Sequence, residues 1–312
     1  MTRTSNRRTG AGARFGLAAA ALAAAAFAGT AAAQPRTGQA TPPQSPKVGA
    51  PVDLTGYWVS VVSEDWRHRM ATPRKGDYES VPLNGEGRRA AGEWNLDTDN
   101  AAGNQCKAFG VGGIMRQPGR LHVTWADDDT LKVDFDAGTQ TRLMEFTAGA
   151  AAQGEKTWQG FSRADWQRPP QAGQGPGRAQ LGNITGPVAP GGGGRGQRGG
   201  PASTQALSEG GSLRVVTSNF RGGYLRKNGV PYSEDAKITE YIARLPDAPN
   251  GDVWLHVVTL VEDPKYLNDT FYTSAMFKRE KDGSKFKPSE CRTAPPPGGA
   301  PGAARAAEPL PR

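Results

Sequence analysis

Histidine is nearly missing from this chain, at three residues in 312, and cysteine is rarer still, at two. His68, His122 and His256 stand far apart and form no H-x-H or H-x-x-x-H pair, so the imidazoles offer no local frame for a metal and none is expected. The chain also lacks a G-x-S-x-G elbow, a glycine-rich loop ending in Gly-Lys-Ser or Gly-Lys-Thr, and a dinucleotide fingerprint between strand and helix. Serine hydrolases, phosphate-loop kinases and dehydrogenases therefore lose their signatures together, and no cofactor is implied. Beyond the N-terminal run no apolar segment resembles a transmembrane helix, so no stable membrane insertion is expected.

What is present begins with an export signature. Arg3, Arg7, Arg8 and Arg14 precede an alanine-rich apolar run that ends in Ala31-Ala32-Ala33, which predicts a secretory signal peptide over 1–33, cleaved after Ala33. The paired Arg7-Arg8 leaves both the general and the twin-arginine route open. Those four arginines supply half of the formal net charge of +8, and the balance that remains is too modest to argue for nucleic acid. Cys106 and Cys291 then enter an oxidising compartment, periplasmic or extracellular, where thiols pair, and one disulfide between them is predicted.

Residues 34–52 are rich in Pro, Gly, Thr and Gln and read as a disordered leader. A single β-domain is expected over 53–291. It opens with a strand from Tyr57 and shows its clearest hairpin where Leu121, Val123 and Trp125 alternate with polar residues, turn at Asp127-Asp128-Asp129, and resume as Leu131, Val133 and Phe135. Asn84 is placed to cap one short helix running to Trp94. Residues 167–211 turn to Gly, Pro, Gln and Ala and read as a disordered insertion, as does the tail over 292–312. With eight or nine strands and no βαβ alternation, the fold class is all-β, as an antiparallel barrel or a two-sheet sandwich.

Gly56-Tyr57-Trp58 resembles the lipocalin opening, in which a G-x-W tryptophan plugs the base of an up-and-down barrel. The longer frame from Asp53 to Trp58, with Trp158-Gln159-Gly160-Phe161-Ser162 and Leu213-Arg214-Val215-Val216-Thr217, is similar to a group of secreted bacterial β-rich proteins with lipocalin-like barrels. The resemblance implies a lumen, a small apolar or amphipathic ligand, and Trp58 as the plug. It supplies neither the mid-barrel T-D-Y element nor a placed closing arginine.

Two polar clusters carry what chemistry the sequence offers. Between the strands expected at 212–220 and 237–245 lies a turn holding Tyr224, Arg226, Lys227, Tyr232 and Glu234. Arg226 and Lys227 can hold a carboxylate, the tyrosines can stack on a ring, and Glu234 can act as a general base if burial raises its pKa. An ordinary Asn228-Gly229 turn with solvated charges remains open. The second cluster is Glu64, Trp66, Arg67 and His68, where neighbouring charges can tune the imidazole, or where an ion-paired corner forms instead. Arg116 and Arg142 are further anion candidates at a barrel mouth, with interior ion pairs as the alternative. The favoured reading is an exported barrel that binds a small hydrophobic or aromatic molecule, carboxylated ones included. An acid/base enzyme using His68 or Glu234 and an envelope structural protein stay open, and oligomeric state is not legible.

Overall fold

The structure is a computed structural model that describes residues 44–147, 154–168 and 210–297. The signal peptide expected over 1–33, the start of the leader, all but the edges of the insertion expected over 167–211, and the end of the tail lie outside the described residues.

Nine strands close into a barrel. They are β1 (Gly56–Val61), β2 (Arg120–Trp125), β3 (Thr130–Phe135), β4 (Gln140–Glu145), β5 (Phe161–Gln167), β6 (Ser212–Ser218), β9 (Lys237–Arg244), β10 (Trp254–Glu262) and β11 (Phe271–Glu280). Two short strands, β7 (Gly223–Arg226) and β8 (Val230–Tyr232), form a separate hairpin between β6 and β9. Period-two alternation builds the wall: Leu121 pairs with Phe135, Val123 with Val133 and Trp125 with Leu131, so one face of β2 and β3 turns inward together. The ring closes through β1, which pairs with β2 on one side and β11 on the other, and closure decides for a barrel over a sandwich. One joint departs from the expected antiparallel order. β4 and β5 run parallel through Met144↔Ser162 and Glu145↔Arg163.

One end of the barrel holds the start of β1 and Trp58. Trp58 is fully buried and donates its indole N–H to the Leu54 carbonyl at 3.0 Å. The Arg279 guanidinium lies 5.5 Å over its ring, an arginine on the last strand that the sequence did not single out. The leader is corrected here over its described part. Trp166 donates to the Pro46 carbonyl, Lys47 pairs with the Asp128 backbone, and Val52 is buried against the barrel. The tail is likewise tied at its start, where the Thr72 hydroxyl donates to the Ala294 carbonyl at 2.6 Å.

Part of the interior is tightly packed, while a cleft of about 280 Å³ opens under the leader beside Leu54, Trp125, Leu131 and Trp166. Trp58, Met144, Leu213 and Val215 each show 0% exposure, which leaves no water-sized space against them. Further along the lumen the lining turns polar. Arg142 donates to both oxygens of Glu240, at 3.2 and 2.6 Å, and to the hydroxyls of Ser162 and Thr217. Both charged side chains are wholly withdrawn from water.

The opposite end carries a cap. It is built from α1 (Trp66–Met70), α2 (Gly85–Glu93), α3 (Leu96–Ala101), two 3-10 turns at Gln105–Phe109 and Ile114–Arg116, and the β7–β8 hairpin. Asn84 caps α2 as expected, accepting from the Gly87 N–H at 2.8 Å. The stretch expected as one polar turn is instead this hairpin, and much of it is buried. Tyr232 explains why: its ring fits a notch that exists because Gly110 and Gly112 have no side chains, since a Cβ there would stand 2.3 and 2.6 Å from Tyr232 atoms. Phe220, Leu225 and Val230 join Tyr232, Leu83 and Ala91 in a second apolar cluster that holds hairpin and helix together. The expected disulfide, Cys106–Cys291, fastens the cap to the chain that follows β11.

Candidate functional site

The two polar clusters of the sequence meet in the cap. Asp65 precedes α1 at φ +50°, a left-handed conformation that costs a non-glycine residue about 1 kcal/mol or more. Its carboxylate accepts from Arg116 Nη2 at 2.7 Å. Burial pushes the Asp65 pKa up, but the Arg116 hydrogen bond and charge, with Arg226 behind them, win and hold it below the ordinary carboxylate range. Arg69, almost fully buried, reaches Glu64 at 2.7 Å and the Arg116 carbonyl at 3.1 Å. His68 is buried with Nε2 3.3 Å from Asp77, while Arg67 spreads outward to Asp77 and Glu79.

Arg226 is the unusual member. It is 3% exposed, and none of its three guanidinium nitrogens has a hydrogen-bond partner among the described residues. Burial lowers its pKa, and the Asp65 and Asp77 carboxylates work against that, so a charged guanidinium persists on long-range attraction alone. Arg116 Nη1, His68 Nδ1 and Asn228 Oδ1 are unsatisfied nearby. Most buried polar atoms in proteins are paired, so their concentration in one place marks the cap as a region not optimised for stability.

Lys227 turns the other way from its neighbour's partners. Its ammonium donates to the Arg69 carbonyl at 3.0 Å and has no ion pair among the described residues. Burial first, and the Arg69 charge second, push its pKa below the ordinary lysine value. Lys227 lines a cleft of about 510 Å³ together with Met70, Phe109, Gln117, Pro118, Glu290 and Arg292. The cleft lies beside the disulfide: Gly138 borders both Phe109 and Cys291.

A second cleft of about 330 Å³ is bordered by Tyr224, Pro231, Tyr232, Glu234 and Lys265. Its chemistry is already spoken for. The Tyr224 hydroxyl donates to Asp99 at 2.7 Å and Lys107 pairs with the same carboxylate at 2.9 Å. Burial, reinforced by Asp99, raises the Tyr224 pKa, and burial raises that of Tyr232. Both phenols stay neutral.

Three expectations are corrected. Glu234 is fully exposed and paired with Lys156 at 2.7 Å, and that hydrogen bond holds its pKa low, the opposite of what a buried general base requires. Arg142 lies in the lumen against Glu240, not at the mouth. Trp66 is 66% exposed and lines neither cleft. Residues the sequence did not single out include Asp77, Phe109 and Arg292. Only the glycine spacing of Ala108-Phe109-Gly110-Val111-Gly112-Gly113 hinted that something close-packed would cross it.

Among the described residues no group of histidine, cysteine, aspartate and glutamate is arranged to hold a metal, and no helix among them is long and apolar enough to cross a membrane. Compared with protein-family models, with curated proteins and with solved structures, the chain matches none. What stands of the lipocalin resemblance is the barrel itself.

Proposed function

We propose that this is an exported binding protein whose ligand, a small amphipathic molecule with a carboxylate, occupies the cap cleft beside Lys227. The ligand is placed at the capped end because the barrel interior is packed at Trp58, Met144, Leu213 and Val215 and ion-paired at Arg142. The observation that carries the reading is the Lys227 ammonium, without a carboxylate partner among the described residues, lining a cleft with apolar walls at Met70, Phe109 and Pro118, a second cation at Arg292 and one carboxylate at Glu290. Such a combination of apolar lining and a few convergent polar groups is what small-molecule sites share. The disulfide fits an oxidising compartment, in keeping with the export signature. Acid/base catalysis at Glu234 finds no support, given its exposed ion pair.

Isothermal titration of the mature protein with 3-phenylpropionate and octanoate, beside their primary amides, tests the reading. Saturable binding of the acids in preference to the amides is expected. Loss of a charge-assisted hydrogen bond is worth about 1.5–3 kcal/mol, so Lys227→Met should weaken the acids at least about tenfold. Equal binding of acid and amide, or no binding of either, overturns it.

A further inference from the structure

The Lys227 side of the cleft carries more chemistry than an electrostatic clamp requires. Several other lysines of the cap and barrel are neutralised by carboxylates, Lys107 by Asp99, Lys156 by Glu234 and Lys278 by Asp252. Lys227 instead rests on a backbone carbonyl, which accepts from an ammonium or from a neutral amine and brings no counter-charge. Its withdrawal from water and the Arg69 guanidinium both disfavour the charged form. Desolvation beside another cation is how an amine becomes nucleophilic near neutral pH. The same cleft offers Arg292 as a second cation and Glu290 as a carboxylate.

We propose that Lys227 forms an imine with the carbonyl carbon of a 2-oxo acid held in this cleft, with the acid's carboxylate on Arg292 and its apolar substituent against Met70 and Phe109. This rests on the carboxylate-binding reading above, narrows its ligand class, and moves the carboxylate's anchor from Lys227, which attacks as the neutral amine, to Arg292 in the same cleft. The neutral amine attacks the carbonyl carbon, the new N–C bond forms as the C=O π pair moves to oxygen, and that oxygen takes a proton. The nitrogen lone pair then closes C=N as the hydroxyl leaves as water. One amine and one carbonyl give one imine and one water, with no oxidant or reductant. Glu290 serves as the group that accepts the proton of the attacking nitrogen and returns it to the departing hydroxyl.

The mature, disulfide-bonded protein is incubated with phenylpyruvate and sodium cyanoborohydride, which reduces an imine to a stable secondary amine, and the adduct is located by intact mass and peptide mapping. A single adduct on Lys227 is expected, forming at least tenfold faster than on any other lysine. It should vanish in Lys227→Arg with an unchanged circular dichroism spectrum, and it should slow several-fold in Arg292→Gln with the pH midpoint of trapping unmoved. 3-Phenylpropionate, which lacks the carbonyl, should compete without forming an adduct. Labelling spread evenly over exposed lysines while titration still detects binding of both acids overturns the imine and leaves the carboxylate reading standing. Absence of binding by either acid overturns both.

Discussion

The barrel interior and the cap both bury arginine, and they do so in opposite ways. In the barrel, Arg142 meets Glu240 in a two-pronged pair and adds two hydroxyl acceptors, leaving only its Nε unsatisfied. In the cap, Arg226 is buried to a similar degree with no hydrogen bond among the described residues, its charge facing carboxylates at a distance. A charge taken out of water is tolerated when fork meets carboxylate and the remaining donors are filled. The barrel meets that condition and the cap does not. The difference separates a buried charge whose donors are nearly all filled from one whose donors are all left open, the arrangement that costs stability.

The contrast can be broken at its strong side first. Arg142→Met strands Glu240 as an uncompensated buried carboxylate, which should cost about 3–5 kcal/mol in urea denaturation. The double variant Arg142→Met/Glu240→Leu should recover most of the loss. If the double variant is as unstable as the single, the pair is not a self-contained unit. At the weak side, Arg226→Met replaces an unsatisfied guanidinium by an apolar chain of similar length, and the unfolding free energy from urea denaturation should hold or rise by about 1 kcal/mol. A fall of the Arg142 size there would erase the distinction.

The smallest effect concerns Asp65. Its folded pKa lies below the ordinary value of 3.8, so its contribution is complete above that value and is lost as pH falls through the folded pKa. The stability advantage of the native protein over Asp65→Asn should therefore be level at neutral pH and shrink below about pH 4. An advantage that grows on acidification would mean that the Arg116 hydrogen bond does not govern this carboxylate.

How much of this was legible in the sequence follows from the range of the interactions. The hairpin of Leu121–Phe135, the Asn84 cap and the disulfide were readable because alternation, a capping side chain and two lone cysteines are local or unique signals. The cap was not readable as a unit. Residues 62–118 lack a sustained period, and their placement is set by contacts such as Asn228 Nδ2 donating to the Arg74 and Asp77 carbonyls, more than 150 residues away in sequence. Both polar clusters stood out by composition, yet their union through Asp65–Arg116 and Lys227–Arg69 depends on a hairpin folding over a helix. Glu234 was misread for the same reason, since whether a carboxylate after a turn is buried or paired with Lys156 is decided by a loop that composition does not describe.

The staple between Cys106 and Cys291, 185 residues apart, also imposes an order of events on a chain delivered from its N-terminus. β1 cannot complete its ladder until β11 has arrived, and Cys106 has no partner until the chain beyond β11 follows. Every contact that shuts the ring is long in sequence, which places folding at the slow end of the range for domains of this size. The capped end is therefore the last part of the molecule to be sealed, and until then Cys106 waits as a free thiol.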